Sequence, residues 1–258
     1  MIDLLTMQGI TDNLTENFNI ILLDKIDSTN LYLKKLAREG AKEGTIVIAD
    51  CQTLGRGRFD RKFYSPENCG IYMSILLKPT LHPKDAILIT AAAAVAVSLA
   101  VEKLTKKQAK IKWVNDVLID NKKICGILTE GAFKNPESFD WAVLGIGINA
   151  YTPKEGFAED IKNIAGSVFD TPEASLRDRL CAEIINTFWN IYENLSEKIF
   201  LDSYRKRSFV LGKKVTVIKN NISAPAKALE IDDNCQLLVE YKDGTRELLN
   251  SGEISIKL

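Results

Sequence analysis

The sequence lacks the residues on which several classes of functional site depend. It contains a single histidine, His82, so a histidine-based triad or a multi-histidine metal site has too few residues to form. Its cysteines are odd in number and none forms a C-x-x-C pair. This spacing argues against a disulfide framework and a structural zinc site, and we expect reduced, mostly buried thiols.

The chain also lacks net charge and a long apolar run. Its 34 Lys and Arg balance 34 Asp and Glu, so no field of the whole protein would attract nucleic acid or an acidic membrane. The most apolar stretch, residues 87–101, is shorter than the roughly 17 to 25 residues that span a bilayer and predicts a buried helix. No secretory signal is evident at the N-terminus. We therefore expect a folded cytoplasmic protein without a membrane partner.

Hydrophobic periodicity predicts two regions of different character. Up to residue 211, strands are interspersed with helices and a tight hairpin is predicted at residues 120–123, which favours an α/β or α+β fold with a mixed sheet backed by helices. From residue 212 to 258, short strands are separated by turns at residues 220–221, 232–234 and 243–244. We expect a large domain over 1–211 and a small all-β domain over 212–258.

The first region contains most of the predicted elements. Strands are expected at residues 20–26, 45–49, 71–77, 110–114, 117–119, 124–128 and 143–148. Helices are expected from the polar triplet at 28–30 to Gly40, and over about 83–104, 176–195 and 199–207.

Residues 55–62 combine two glycines with four cations. Glycine lets the backbone approach a ligand closely, and arginine forks bind phosphate or carboxylate oxygens, so the segment is interpreted as an anion clamp. It is not a Walker loop, because no G-K-[ST] follows, and it lacks the third glycine of the dinucleotide fingerprint. A solvated basic loop is the alternative interpretation.

Two further segments carry unusual patterns. Residues 112–116 (KWVND) place a cation, an amide and a carboxylate at a strand and its turn, although Asn and Asp are also ordinary turn residues. Residues 144–149 alternate aliphatic residues with glycine, which leaves one strand face bare. An adenine or a fused-ring ligand would fit that face, and close packing of a helix on the sheet explains it almost as well.

The order and spacing of these motifs resemble the biotin protein ligases. The resemblance rests on DSTN at 27–30, Gln52 with GRGR at 55–58, KWVND at 112–116, KKICGIL at 122–128 and GIGIN at 145–149, and it covers about residues 20–258. It implies a catalytic domain like those of class II aminoacyl-tRNA synthetases and biotin ligases, a mixed sheet with helices on one face. It also implies a small C-terminal β-barrel.

The resemblance implies an ATP-dependent biotinylation in two half-reactions. The carboxylate of biotin attacks the α-phosphate of MgATP to give biotinyl-5'-AMP and pyrophosphate. A lysine of a biotin carboxyl carrier domain, such as that of acetyl-CoA carboxylase, then attacks the mixed anhydride. Mg²⁺ is expected to bind through the nucleotide phosphates and water, so no protein metal site is predicted.

The resemblance also assigns site residues. Residues expected to contact biotin are Ser28, Thr29, Asn30, Gln52, Arg56, Gly57, Arg58, Lys123 and Gly126. Residues expected to contact ATP or the adenylate are Arg58, Arg61, Phe63, Asn115, Lys123 and Asn149. The catalytic cations are expected to be Lys123, Arg58 and Arg56, because both reactants of the first step are anions. Asp116 is a candidate carboxylate for orienting a cation, a metal ion or the incoming amine.

The sequence departs from the family pattern at three positions. The family more often has proline at 114, and often has glycine at 60 and tryptophan at 63, where this chain has Val114, Asp60 and Phe63. Asp60 adds an anion to the clamp, and Phe63 offers a smaller stacking face. We expect these departures to change kinetics and leave the reaction class intact.

Other interpretations stay open. Lipoate or octanoate ligases share the fold and also modify carrier lysines, although the GRGR segment and the C-terminal β-domain favour biotin. A noncatalytic nucleic-acid-binding protein could use the basic loop, but the zero net charge argues against it. Only about 19 residues precede the first predicted strand, too few for a three-helix DNA reader, so repressor activity and DNA binding are not expected. Family members occur as monomers and dimers, and a homodimer is the state we favour.

Overall fold

The computed structural model describes residues 3–219, 222–250 and 253–255. The helices are α1 (Met7–Thr11), α2 (Thr29–Arg38), α3 (Ile87–Thr105), α4 (Leu176–Glu193) and α5 (Leu201–Lys206). The first sheet is built from β1 (Asn19–Ile26), β2 (Thr45–Gln52), β3 (Gly70–Leu77), β4 (Lys110–Lys112), β5 (Asp116–Ile119), β6 (Lys122–Asn135) and β7 (Ser138–Asn149). The second is built from β8 (Lys214–Lys219), β9 (Ile222–Ile231), β10 (Leu237–Tyr241), β11 (Arg246–Leu249) and β12 (Glu253–Ser255).

The first sheet has seven strands in the order β1-β2-β3-β7-β6-β5-β4. Strands β1 and β2 are parallel, as their connection through α2 requires, and the remaining neighbours are antiparallel. The predicted mixed sheet backed by helices is therefore confirmed.

Helices cover both faces of this sheet, which corrects the expectation of helices on one face. Ile71 and Met73 of β3 lie in the large core cluster with α3 and α4, whereas Leu76 packs with Leu33 of α2 on the opposite face. Strand β3 is buried along its whole length for this reason. A continuous apolar run of this kind, instead of strict alternation, is the pattern expected of a strand covered on both faces.

Helix α3 lies in the centre of the large core. By length and composition alone, the segment Pro83–Thr105 could cross a membrane. In the folded chain, however, 72% of its apolar window is buried against the sheet, α4 and other core residues. Residues 87–101 of the helix are apolar on all sides because nearly all of them are buried, which confirms the buried helix predicted there.

The sequence missed the distal part of one hairpin. Strands β6 and β7 extend well beyond the predicted 124–128 and 143–148, and Ala132 pairs with Trp141 in the extension. Polar and glycine residues at 130, 131 and 134 hide the strand pattern there. The predicted turn at 120–123 is confirmed, since Asp120 and Asn121 both adopt positive φ, at 48° and 63°. All five cysteines are free, and four are buried.

The C-terminal strands form an antiparallel sheet in the order β11-β10-β9-β8-β12. The small C-terminal β-domain predicted from the sequence is confirmed, and among the described residues its edge strands β11 and β12 are not paired with each other. The predicted turn at 220–221 lies outside the described residues. The sheet is joined to the catalytic region by the Trp113 indole, which donates a hydrogen bond of 2.9 Å to the carbonyl of Cys235.

A buried ion-pair network attaches the N-terminal segment to α4. Arg177 is fully buried, and its guanidinium donates to the Asp3 and Gly70 carbonyls and pairs with Asp50. The Asp3 carboxylate accepts bonds from the Arg177 amide at 2.9 Å and from the Tyr151 hydroxyl at 2.7 Å. This bond and burial both raise the pKa of Tyr151, with burial the larger effect. The sequence pattern gave no indication of this network.

We expect Arg177→Met to lower the free energy of unfolding by ~3 to 5 kcal/mol, because it leaves two carboxylates without their buried cation. Arg179→Met is the matched control, since Arg179 is exposed on the same helix. Urea denaturation of both variants measures the difference. Equal stability of the two variants would contradict a structural role for the buried ion pair.

Candidate active site

One cavity of about 250 Å³ brings together all fourteen residues that the sequence assigned to the site. It lies where the β1–α2 junction, the loop after β2 and strands β5, β6 and β7 meet. The assigned residues that line it are Ser28, Thr29, Asn30, Gln52, Arg56, Gly57, Arg58, Arg61, Phe63, Asn115, Asp116, Lys123, Gly126 and Asn149. Which part of a ligand each of them contacts stays a prediction.

A hydrogen-bond network closes one end of the cavity at the start of α2. The Gln52 side-chain oxygen accepts bonds from the Thr29 amide at 2.9 Å and from its hydroxyl at 3.1 Å. Gln52 Nε2 in turn donates to the Ser65 hydroxyl at 3.1 Å. The Ser74 hydroxyl lies 2.8 Å from the Thr29 hydroxyl and 2.6 Å from Asn30 Oδ1. The network fixes the direction of every amide it contains.

Two members of this region were missed by the sequence analysis. Ser74 is fully buried in the apolar strand β3, and a small polar residue in such a run was the available signal. Glu130 lies on β6, where its Oε2 accepts from Asn30 Nδ2 at 2.9 Å and its Oε1 pairs with Lys34. Arg56 approaches the same Oε1 at 3.6 Å.

The Glu130 carboxyl group is held in its ionised form. Burial acts to raise its pKa, but the hydrogen bonds from Asn30 and Lys34 and the charges of Lys34 and Arg56 outweigh burial. The pKa of Glu130 therefore lies below its ordinary value. Its carboxylate is a stable acceptor for three surrounding donors at neutral pH.

The basic segment forms a small hairpin over the cavity. The Gly57 amide donates to the Arg61 carbonyl at 2.7 Å, and the Phe63 amide donates to the Gly55 carbonyl at 2.9 Å. At its tip, Phe59 and Asp60 both adopt φ of 56°. This left-handed conformation favours glycine, which accounts for the glycine that the family often carries at position 60. The segment interpreted as an anion clamp therefore has a defined hairpin backbone.

The glycine floor, formed by Gly126, Gly145 and Gly147, is covered by two side chains. A Cβ at Gly147 would lie 2.6 Å from the Phe63 ring, and a Cβ at Gly145 would lie 2.2 Å from Asn30 Oδ1. At Gly147 the bare strand face is occupied by the Phe63 side chain, and the adenine or fused-ring ligand expected there stays a prediction. At Gly145 a helix residue closely approaches the sheet, as the helix-packing interpretation expects.

Two cations stand at fixed positions beside the floor. Lys123 Nζ lies 2.6 Å from Asp116 Oδ1, and Arg58 donates to Asn115 Oδ1 at 3.1 Å. The Asn115 amide donates onward to the Ile127 carbonyl at 3.0 Å. Asp116 and Asn115 of the KWVND motif thus orient Lys123 and Arg58, respectively.

The segment before α4 forms one wall of the cavity. The backbone of Lys123 bonds to Ile164 and Gly166, at 2.7 Å and 2.9 Å, in a bridge between β6 and this segment. Asn149 donates to the Gly166 carbonyl at 3.0 Å. The Asn149 side chain therefore supports the wall in addition to lining the cavity.

The charge of the lining suits an anionic ligand. Besides the assigned residues, it includes Lys62 and Lys112. Within the described ranges, Asp116 is the single acidic residue of the lining, and it is paired with Lys123. The cavity therefore provides preorganised positive charge next to a polar network, which fits a ligand with a neutral polar end and anionic groups.

Comparisons with known proteins agree with this geometry. Residues 22–149 match the Biotin/lipoate A/B protein ligase family, and residues 210–257 match the Biotin protein ligase C terminal domain. The chain is 33% identical over 240 residues to the bifunctional ligase/repressor BirA of Bacillus spizizenii, covering 90% of this chain and 73% of that protein. It is 28% identical to the biotin--[acetyl-CoA-carboxylase] ligase of Mycobacterium tuberculosis, over 88% of this chain and 85% of that protein.

Solved structures give the same result. The biotin protein ligase of Aquifex aeolicus in complex with biotin and ATP superposes with a TM-score of 0.72 at 27% identity, over 92% of this chain and 97% of that chain. Its R40G mutant in complex with biotin gives a TM-score of 0.75, also at 27% identity, over 93% and 98%. The resemblance found in the sequence is confirmed: the chain belongs to the biotin protein ligase family.

Proposed function

We propose that the protein attaches biotin to a lysine of a carrier protein, using ATP and forming biotinyl-5'-AMP. The observation that carries this proposal is the cavity itself, in which a polar network faces two preorganised cations across a glycine floor. Biotin and ATP are named as ligands of the A. aeolicus enzyme that shares this fold. The match of residues 210–257 to the C-terminal domain of biotin protein ligases also favours biotin over lipoate.

In the first half-reaction, two anions must approach each other. A carboxylate oxygen of biotin forms a bond to the α-phosphorus of ATP, while the bond to the bridging oxygen breaks and pyrophosphate leaves. Lys123 and Arg58 offset the charge of the carboxylate and the α-phosphoryl oxygens, and they need no reorganisation because Asp116 and Asn115 already orient them. Mg²⁺ enters with the nucleotide as part of the substrate.

The polar network is the proposed site for the ureido ring of biotin. Gln52 Nε2 has two hydrogens and one of them serves Ser65, so the other is available to a ligand. The Asn30 amide, by contrast, bonds within the protein through both of its ends. We therefore propose that Asn30 supports Thr29 and Ser74 in addition to facing biotin, and that Ser28, Thr29 and Gln52 contact biotin directly.

In the second half-reaction, the amine of a carrier lysine attacks the mixed anhydride and AMP leaves. We propose the biotin carboxyl carrier domain of a carboxylase as the carrier, since the M. tuberculosis relative is named for acetyl-CoA carboxylase. Asp116 is the candidate for orienting the incoming amine. The cytoplasmic location, the homodimer, the absence of DNA binding and the domain boundary at 211–212 stay predictions.

The direct test is adenylate formation. With biotin and MgATP the purified chain should release pyrophosphate and give biotinyl-AMP by mass spectrometry, whereas lipoate should give neither. Biotin at about 100 times its Kd should add ~2.7 kcal/mol of stability in a thermal-shift assay. Adenylate formed from lipoate and not from biotin would replace the proposal with the lipoate ligase alternative.

Removing either catalytic cation should greatly lower the rate of adenylate formation. We expect Lys123→Ala and Arg58→Ala to lower the rate of adenylate formation by ~100- to 1,000-fold, because each removes a preorganised donor. Lys134→Ala is the control, since Lys134 is exposed on the same strand and lies outside the cavity lining. Folding is monitored by circular dichroism, and wild-type rates in a folded Lys123→Ala variant would contradict the assignment.

Substitution of Gly145 and of Gly147 should affect different ends of the site. Gly145→Ala displaces Asn30 and should raise the KM for biotin, whereas Gly147→Ala displaces Phe63 and should raise the KM for ATP. Each shift should be ~5- to 150-fold, the equivalent of about 1 to 3 kcal/mol of overpacking. Steady-state kinetics with each substrate varied in turn measures the split, and identical effects of both variants would argue against two separate ends.

A further inference from the structure

Glu130 is an ionised carboxylate that belongs to the site's surroundings and not to its lining. It lies on β6 two residues beyond Leu128, on the strand face that carries Gly126 and Leu128 into the cavity. Its partners come from two different parts of the chain: Asn30 and Lys34 from α2, and Arg56 from the basic hairpin. One carboxylate therefore joins the sheet, the helix and the hairpin.

The contact with Arg56 changes the role of that residue. The sequence assigned its guanidinium to the substrate anions, but the group lies 3.6 Å from Glu130 Oε1 and is 35% exposed. Arg58, the other arginine of the motif, is directed to Asn115 instead. The two arginines of the GRGR motif thus point to different partners, and Arg56 is the one that connects the hairpin to Glu130 of β6 and, through it, to α2.

The contact with Asn30 extends the influence of Glu130 to the polar network. An amide has one donor end and one acceptor end, so a carboxylate facing Asn30 Nδ2 forces Oδ1 toward Ser74. Ser74 contacts Thr29, and Thr29 donates to Gln52. A continuous series of contacts therefore runs from Glu130 to the residues proposed to bind the ureido ring.

We infer that Glu130 is a positioning residue for biotin and its adenylate, which holds the hairpin over the site through Arg56 and fixes the amide of Asn30. This inference rests on the proposed function. The exchange of Glu130 for glutamine keeps the shape of the side chain but removes the charge, and its single NH₂ group must face either Asn30 Nδ2 or the pair Lys34 and Arg56. The hairpin then loses its ion pair with β6 through Arg56, while Lys123 and Arg58 keep their own partners.

The test measures the binding of biotin and its adenylate separately from the rate of adenylate formation. In Glu130→Gln we expect the KM for biotin and the dissociation rate of biotinyl-AMP each to rise about tenfold, the scale of a lost hydrogen-bonded charge pair. The single-turnover rate of adenylate formation at saturating biotin and ATP should stay within about twofold of wild type. Glu130→Asp should recover part of the retention. Glu137→Gln, an exposed exchange at the tip of the same hairpin of strands, is the control.

A double-mutant cycle shows whether Glu130 acts through the hairpin. If it does, Arg56→Met should accelerate adenylate release, and Arg56→Met combined with Glu130→Gln should release adenylate no faster than the more severe single variant. Lys34→Met, which alters Glu130 without touching the hairpin, should leave release less affected than Arg56→Met. Additive effects in the cycle, or an equal loss in the single-turnover rate, would overturn the inference. An absence of adenylate from the wild-type chain would instead overturn the proposed function.

Discussion

The site depends on one constraint: side chains from other elements must lie very close to the backbone of β6 and β7. The glycine floor leaves space at one part of the sheet where a helix residue and an aromatic ring lie directly on the main chain. On the opposite face α3 and α4 cover the sheet completely, so the strands that carry the floor are held by a large core. The cavity forms on the other face, beside α2, where the covering is partial. A rigid, buried sheet thus supports the residues that must be placed accurately.

Electrostatic pairing organises the side chains around this floor. The lining holds an excess of cations, which would repel one another in an unliganded cavity. Pairing of Lys123 with Asp116, and of Arg56 with Glu130, lowers that cost and sets the direction of each cation. Because both carboxylates lie partly buried, their interactions are screened less by solvent than surface pairs would be. The cations needed for the first half-reaction are therefore kept in place by the carboxylates of Asp116 and Glu130.

Much of the fold and site could be predicted from local sequence, and what was missed depends on long-range contacts. Periodicity located nearly all strands and helices, and motif order identified the cavity residues, because both signals are local in the chain. Glu130 stands 74 positions from Arg56 and Arg177 stands 174 positions from Asp3, so no spacing rule could join them. The face on which α2 packs could not be predicted either. An apolar residue such as Leu33 specifies burial but not the side of the sheet that provides it.

The bond between the Trp113 indole and the Cys235 carbonyl has a consequence for which sequence changes the C-terminal sheet can accept during evolution. Its acceptor is a main-chain atom, so the side chain at position 235 is not what the indole recognises. What position 235 must preserve is its left-handed backbone, with φ of 59°, which turns the carbonyl toward the indole. Glycine or asparagine there would keep the acceptor, whereas a β-branched residue would strain it. The junction next to the KWVND motif can therefore persist through extensive drift of the C-terminal sequence, provided that this one turn keeps its shape.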